Sequence, residues 1–234
     1  MAKYAANLVL IVAHFVALFA LKSSPKNEVL YFALASYAAV LAINLVPPII
    51  EWLRTACKHG ILHVFPRGTT GDYKHLRTAS TISFLSISLR GLHEVQEHII
   101  AAISNNRATV HILILNPNSS FLAEREKQEG DHRIGEIKKE SEITISQVAE
   151  TAKRLSEMNV RGGAIELRTY DTMPYCSCVL TDTEVRYTPY IMQLRAGSSM
   201  MLRLRPKSPI AQDLAQHYER IWSKANPEFK KVWS

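Results

Sequence analysis

The first 50 residues of this 234-residue chain contain very little charge. Residues 51–234 carry 25 basic and 20 acidic side chains, since the totals of 28 and 21 each include the few that precede them. The charged side chains of the first 50 residues are Lys3, Lys22, Lys26 and Glu28. So little charge excludes an ordinary water-exposed surface for this segment, and the composition divides the chain into an apolar N-terminal part and a mildly basic domain.

Cysteine is also scarce, with only Cys57, Cys176 and Cys178 in the chain. An odd number with a tight C-x-C pair excludes a disulfide framework, because strand neighbours two residues apart are poorly placed for a bridge. The C-x-C pair could supply half of a metal site, but the sequence has no second pair. We therefore predict no metal and no cofactor, and a reducing, cytoplasmic environment for the domain.

Two uncharged runs, Tyr4–Leu21 and Val29–Ile50, flank a polar turn that contains Pro25. The first has 18 residues, and a helix of that length spans about 27 Å, close to the thickness of a bilayer core. A signal peptide is the alternative for the first run, but a second run follows almost at once. The pattern favours a transmembrane helical hairpin over residues 1–54.

The charges beside the two runs indicate how the hairpin is oriented. More basic residues follow the second run than lie in the turn, which places both termini and the domain on the cytoplasmic side of a bacterial inner membrane. Three polar side chains inside the runs are costly in lipid unless they are paired: Asn7, His14 and Asn44. They either bond within one hairpin or line contacts between several copies, so a homo-oligomer is expected.

The remaining sequence alternates between strand and helix patterns. We assign residues 55–77 to a Gly- and Pro-punctuated linker and residues 119–142 to a charge-rich helix or loop. Helices are predicted at Gly91–Asn105, through Ile143–Met158, and after the capping residue Ser208. Strands are predicted at Thr81–Leu89, Thr109–Leu115, Ala164–Arg168, Cys176–Thr181, Glu184–Tyr187 and Met200–Arg205. The expected fold class is α/β, with a mixed or parallel sheet flanked by helices.

Four segments in this order carry a family resemblance: FLSISLRGL, HILILNPNS, the octet YCSCVLTD at 175–182, and HYERIW. The octet has the spacing of the signature H-x-K-x-x-x-x-D, with Tyr175 at the His position, Ser177 at the Lys position and Asp182 in place. The domain at 78–234 thus resembles the phospholipase D-like family, and the resemblance covers residues from about 78 to 226. It implies a mixed sheet flanked by helices.

The resemblance also shows what this octet lacks. Active members bring two H-x-K motifs together; one His attacks phosphorus, the other protonates the leaving group, and the Lys residues hold the phosphate oxygens. Tyr175 has a phenol, whose pKa lies near 10, and Ser177 carries no positive charge. The other histidines of the domain, His93, His98, His111 and His217, lie on predicted helices or a predicted strand. We therefore predict a domain without catalytic activity.

A site that has lost its chemistry can still bind a ligand. Basic and aromatic residues together can hold phosphates and stack bases, although a basic face can equally lie against anionic lipid headgroups. The predicted partner is a nucleic acid, a nucleotide or a protein. The predicted ligand-binding residues are Tyr175, Ser177, Asp182, Arg186, Tyr187, Tyr190, Arg195, Arg203 and Arg205.

Three functions fit this organisation. An anchor of two helices joined to a sensory domain resembles two-transmembrane effectors of bacterial anti-phage defence, including retron-type systems, which disrupt the inner membrane when a partner such as a reverse transcriptase complex releases them. The second function is a phospholipase D-like phosphodiesterase or nuclease with a rewired site. The third is a membrane-tethered scaffold. We expect the first, a non-catalytic effector or sensor.

Overall fold

The structure is a computed structural model that describes residues 50, 60–66, 72–129, 134–191 and 198–233. The chain divides into two units, Met1–Lys58 and His59–Ser234, and the elements given below belong to the second. The predicted hairpin of residues 1–54, with Asn7, His14 and Asn44, lies outside the described residues except for Ile50. Within the described ranges, no helix is both long and apolar enough to cross a membrane.

Eight strands form one mixed sheet. In chain order they are β1 (Ile61–Phe65), β2 (Thr81–Ser86), β3 (Thr109–Leu115), β4 (Ala164–Tyr170), β5 (Cys176–Thr181), β6 (Val185–Pro189), β7 (Met201–Leu204) and β8 (Asn226–Val232). Across the sheet their order is β1-β7-β6-β5-β2-β3-β4-β8. The pairs β2–β3 and β3–β4 are parallel, and all other neighbours are antiparallel. The predicted mixed α/β class is confirmed.

In the described part of His59–Ser234, four α-helices accompany the sheet, together with a short 3-10 helix at Lys74–Thr78. They are α1 (Leu92–Asn106), α2 (Ser120–Glu129), α3 (Glu136–Glu157) and α4 (Pro209–Trp222). The first begins within one residue of its predicted start, and its apolar residues at helical spacing are buried. At the start of α4, the Ser208 hydroxyl accepts a hydrogen bond from the backbone N–H of Ala211, as its capping role predicts.

Strand β3, the middle one of the three parallel strands, is buried on both faces, which explains its nearly continuous apolar sequence. Val110, Ile112 and Ile114 join a core cluster to which α1 and α3 contribute. Leu113 and Leu115 join a second cluster that includes residues of α2 and α4. Helices therefore cover both faces of the parallel part of the sheet.

The predicted linker at 55–77 contains regular structure that the sequence reading did not assign. Residues 61–65 form β1, which pairs antiparallel with β7, and residues 74–78 form the 3-10 helix. Gly60 and Pro66 flank the strand and do not interrupt it. Gly60 has a φ of +70° and Arg205 donates its backbone N–H to the Gly60 carbonyl, so this glycine begins the strand pairing.

Helix α3 starts seven residues before Ile143, the first residue used to predict it. Ile143 and Met158 are exposed, at 46% and 55%, so they do not belong to its buried face. That face includes polar side chains: Thr144 is buried and its hydroxyl donates to the carbonyl of Ser88 at 2.6 Å. A hydroxyl with an internal acceptor can sit in a core, which is why an apolar pattern alone misplaced this face.

The start of α3 is held by a carboxylate from α2. Glu126 is buried and accepts hydrogen bonds from the backbone N–H groups of Gly135, Ile137 and Lys138, at 2.8, 3.0 and 3.2 Å. These donors lie in the first turn of the helix, where no internal acceptor exists, and a negative charge there is favoured. Part of the charge-rich segment predicted to be solvated therefore serves as an internal helix cap.

Strand β8 follows α4, which is the last element that the sequence predicts. This strand pairs antiparallel with β4 and lies at one edge of the sheet. Trp233, just beyond it, is buried in the cluster shared by α1 and α3, and its indole N–H donates to the Ser156 hydroxyl at 3.2 Å. Strand β8 carries Glu228, Lys230 and Lys231, which fits an edge strand whose side chains are mostly exposed.

Candidate functional site

The octet at 175–182 is spread along strand β5. Tyr175 precedes the strand and is 70% exposed, Ser177 lies within it, and Asp182 follows it. At about 3.3 Å per residue, the Tyr175 and Asp182 backbones lie roughly 20 Å apart. The three positions therefore do not converge on one pocket.

Asp182 has a structural partner. Its carboxylate accepts the backbone N–H of Ser80 at 3.3 Å to each oxygen, and the Ser80 hydroxyl at 2.8 Å. Ser80 precedes β2, which pairs with β5, so these bonds fasten the ends of two adjacent strands. The carboxylate thus acts as an acceptor that fixes the strand pairing.

The two cysteines inside the octet are buried thiols. Burial raises the pKa of Cys176 to about 11 and raises the pKa of Cys178 further above its usual value. A thiol is nucleophilic only as the thiolate. Near neutral pH, therefore, neither sulfur supplies the nucleophile that the octet lacks at its His position.

A charged cluster lies at the neighbouring strands β6 and β7, and we call it the β6–β7 cluster: Arg186 on β6, Arg203 on β7, Glu184 just before β6, and His75 on the 3-10 helix. Glu184 is 3% exposed and bonds both arginines. The Arg186 Nε donates to its Oε1 at 2.7 Å, and the Arg203 Nε donates to its Oε2 at 2.5 Å. Because one carboxylate faces two guanidinium groups, the three charges leave a net positive charge of one.

Two aromatic rings hold the Arg186 guanidinium in place. Its Cζ lies 4.7 Å from the centroid of Tyr73 and 6.0 Å from that of Phe65. Its Nη2 donates to the Asp72 carbonyl, and the same nitrogen lies 3.1 Å from the Nδ1 of His75. Cation–π contacts and hydrogen bonds together fix the orientation of this group, which is only 5% exposed.

The pKa of His75 is lowered in this environment. Burial is the largest cause that lowers the pKa of its imidazole, and the positive charge of Arg186 lowers it further, whereas Glu184 acts in the opposite direction. Burial likewise raises the pKa of the neighbouring Tyr73. The cluster therefore contains a half-buried imidazole with a lowered pKa, which a nearby negative charge would raise.

Arg186 and Arg203 are the predicted ligand-binding residues that the structure brings together, as register partners on adjacent strands. Tyr187 points to the opposite face of the sheet, where it packs against apolar residues. Tyr190 contributes to the second core cluster, and its Oη accepts the backbone N–H of Ile87 at 3.1 Å. Arg205 is exposed beyond the end of β7, and Arg195 lies outside the described residues.

Sequence reasoning missed two members of the cluster, His75 and Glu184, and also Tyr73, whose ring contacts Arg186. The signal for Glu184 was present, since residues two apart on a strand face the same side and Glu184-x-Arg186 can form an ion pair there. No local pattern marks His75, because it lies 111 residues from Arg186 in the chain. Tyr73 and His75 both lie in the segment 55–77, which the sequence predicts to be a linker without regular structure.

His111, the histidine that the sequence places on a strand, lies on β3 and outside the β6–β7 cluster. Its ring stacks on Trp222 at a centroid distance of 4.6 Å, and burial lowers the pKa of its imidazole. Across the part of the chain that the structure describes, no group of three or more His, Cys, Asp or Glu side chains is arranged to hold a metal ion.

Fold and site together define a mixed α/β domain with a partly buried basic cluster on its antiparallel half. The chain belongs to the family described as Domain of unknown function (DUF5919), whose model matches residues 75–234. No curated protein matches the sequence.

Two solved structures are similar to the chain, each at 13% identity. One is TrmBL2, described as an archaeal chromatin protein with a novel mode of DNA binding. The match covers 89% of this chain and 71% of the TrmBL2 chain, with a TM-score of 0.46. The other is NUC from Salmonella typhimurium, described as a phospholipase D family member. The match covers 65% of this chain and 85% of the NUC chain, with a TM-score of 0.38. Neither neighbour decides the function of this chain.

Proposed function

We propose that this chain is a non-catalytic, membrane-anchored effector or sensor of bacterial anti-phage defence. Its α/β domain has a phospholipase D-like fold without the phosphodiesterase chemistry, and it senses a phosphate-bearing ligand or a partner that carries one. The N-terminal hairpin anchors it in the inner membrane, with both termini and the domain on the cytoplasmic side. Several copies act together.

The observation that carries this proposal is the state of the octet. Tyr175 is exposed far from Asp182, Ser177 has no charge, and Asp182 is bonded to Ser80. Nucleophilic attack on phosphorus needs an activated nucleophile beside groups that hold the phosphate oxygens. The octet offers neither, which favours a binding role over catalysis.

The β6–β7 cluster supports an anionic ligand. Two arginines on adjacent strands share a single carboxylate, and Arg203 is partly accessible, with 45% of its side chain exposed. Arginine favours phosphate groups because its planar donors match their oxygens. A nucleotide or the phosphates of a nucleic acid would meet this requirement.

In the proposed mechanism, the ligand or partner controls whether hairpins from several copies assemble. Asn7, His14 and Asn44 would then contact one another between copies, because polar side chains within a bilayer are stabilised by pairing. Assembly would breach the inner membrane and stop growth of the infected cell.

Induced expression in bacteria with a membrane-potential dye tests the effector role. We expect depolarisation with the full chain and none after deletion of residues 1–50, with membrane localisation of the full chain confirmed by fractionation. Unchanged potential with the protein in the membrane would contradict the membrane-disrupting role. Partner binding that persists after the deletion, without any depolarisation by the full chain, would favour the scaffold.

The enzyme alternative has its own test. Purified full-length protein should not cleave DNA, RNA or phospholipid, and any trace activity should be the same in Tyr175→Phe and Asp182→Asn variants. Asparagine keeps an acceptor for Ser80, so the second variant separates chemistry from folding. Turnover by the wild type that either substitution abolishes would show that the octet is catalytic.

A further inference from the structure

Two strands of the sheet carry the same small arrangement of charges. On β4, Arg168 bonds Glu166, two residues earlier, and Lys230 from the neighbouring strand reaches the other oxygen of Glu166 at 3.0 Å. On the β6 side, Arg186 bonds Glu184, two residues earlier, and Arg203 from β7 reaches its other oxygen. The two arrangements therefore provide an internal comparison within one molecule.

They differ in how the arginine nitrogens are used. All three nitrogens of Arg168 have acceptors: Nε and Nη2 contact Glu166 at 2.7 and 2.6 Å, and Nη1 donates to the Trp222 carbonyl at 3.0 Å. Arg186 uses Nε and Nη2, but its Nη1 is buried and has no hydrogen-bond partner. A buried donor without an acceptor is rare and destabilising.

A second unused donor lies on His75, whose ring contacts the Arg186 guanidinium. The Nδ1 of His75 faces the Arg186 Nη2 at 3.1 Å, and a guanidinium can only donate. Nδ1 must therefore accept, which places the ring proton of the neutral imidazole on Nε2. That Nε2 is also buried without a partner. The β6–β7 cluster thus combines two unsatisfied donors with a net positive charge.

We propose that the β6–β7 cluster is a binding site for a compact oxyanion, the terminal phosphate group of a small molecule. The oxyanion accepts hydrogen bonds from Arg186 Nη1 and His75 Nε2. Arg203, whose side chain is partly exposed, moves to admit it and supplies a third donor. The contacts of Tyr73 and Phe65 hold the Arg186 plane in place before binding. The β4 arrangement, with every arginine nitrogen paired, does not bind such an anion.

The anion site rests on the proposed function in one respect, since it would be the place where the sensing domain binds its ligand. A phosphate of this kind is supplied by a soluble nucleotide or by a lipid headgroup, and both share the chemistry that the two donors recognise. A terminal phosphate group fits the buried donors better than the internal phosphates of a nucleic acid, which are flanked by sugar on both sides.

The site also predicts a dependence on pH. The groups that face His75 are Glu184, Arg186, Arg203, Tyr73 and the carbonyl of Asp72. A bound anion favours the charged imidazole and so raises its pKa, which means that anion affinity increases as the pH falls through this value. Sulfate is a suitable probe because its own charge is constant across the neutral range.

The experiment is calorimetric titration of the full chain in detergent micelles with sulfate, at two pH values on either side of 6.5. Arg203→Gln removes a partly exposed charge, and Lys230→Gln is the matched control from the β4 arrangement. We expect sulfate to bind the wild type more tightly at the lower pH, and binding to weaken at least about tenfold in Arg203→Gln and to be unchanged in Lys230→Gln. His75→Phe, which removes the Nε2 donor, should weaken binding and abolish the pH dependence.

Two further arms identify the source of the phosphate. A mononucleotide added in solution and phosphatidic acid incorporated into the micelles, each of which has a terminal phosphate group, are compared in competition with sulfate, and the one that displaces it more strongly is the source. No sulfate binding by folded wild type up to about 20 mM, or equal weakening in Arg203→Gln and Lys230→Gln, would overturn the proposal. Its failure is separable from that of the effector role, since depolarisation in cells is measured without reference to anion binding.

Discussion

Replacing Trp233 with alanine should strongly destabilise the α/β domain. The Trp233 side chain is 8% exposed and packs in the core cluster of α1 and α3. Its hydrogen bond to Ser156 contributes little to the loss, because Ser156 is exposed and its hydroxyl can bond water instead. Removal of the buried ring dominates, and substitutions of this kind cost about 3–5 kcal/mol.

For a domain of this size, that loss lowers the unfolding midpoint by about 6–20 °C, at roughly 2–4 °C per kcal/mol. The assay is thermal unfolding of the full chain, followed by circular dichroism. Trp233→Phe keeps most of the apolar area and should cost only about 1–2 kcal/mol. The neighbouring Val232 is 59% exposed, so Val232→Thr should stay within about 0.5 kcal/mol of the wild type. A Trp233→Ala midpoint within about 2 °C of the wild type would refute the view that this residue anchors the end of the chain.

Three further outcomes are expected. Glu126→Gln should destabilise the domain by about 1–2 kcal/mol and speed hydrogen exchange in the first turn of α3, because the amide replaces a charged acceptor of three N–H groups; unchanged exchange would exclude the cap. Burial lowers the folded-state pKa of His75 and His111, so their contribution to stability is complete above the unfolded pKa of about 6.5 and is lost as the pH falls towards the folded pKa values. Thermal scans from pH 8 to 5 should therefore show a falling unfolding midpoint. His111→Phe should make the midpoint depend less steeply on pH. Cys176 and Cys178 should resist iodoacetamide at pH 8 in the folded protein, with the remaining cysteine replaced by serine, and react after denaturation; rapid labelling of the native protein would contradict their raised pKa values.

The regular elements of the domain follow from local patterns to a large extent. The apolar run Thr109–Leu115 forms strand β3 with the predicted bounds. The last helix starts at Ser208–Pro209 and has the predicted cap. The two edge strands were missed for opposite reasons. Ile61–Phe65 is short and lies between a glycine and a proline, whereas Asn226–Val232 contains a proline and three charged residues because an edge strand has little to bury.

The site depended on contacts between residues far apart in sequence, which local patterns do not encode. The octet was correctly placed on a strand, but the partner of Asp182 is Ser80, 102 residues away. Grouping the basic residues after position 186 identified Arg186 and Arg203, yet the burial of Arg186 follows from the sheet register and from the segment that carries His75. Composition gives the charge of such a face, and only the fold decides which of its donors lack acceptors.

Strand β7 joins the proposed ligand site to the chain that leads towards the N-terminus. It has four residues and pairs with β6 on one side and β1 on the other, so Arg203 and His63 are register partners. β1 begins at Ile61, three residues after the boundary between the two units of the chain. The same four residues therefore carry both the Arg203 guanidinium of the proposed site and the backbone pairing that holds β1 in the sheet.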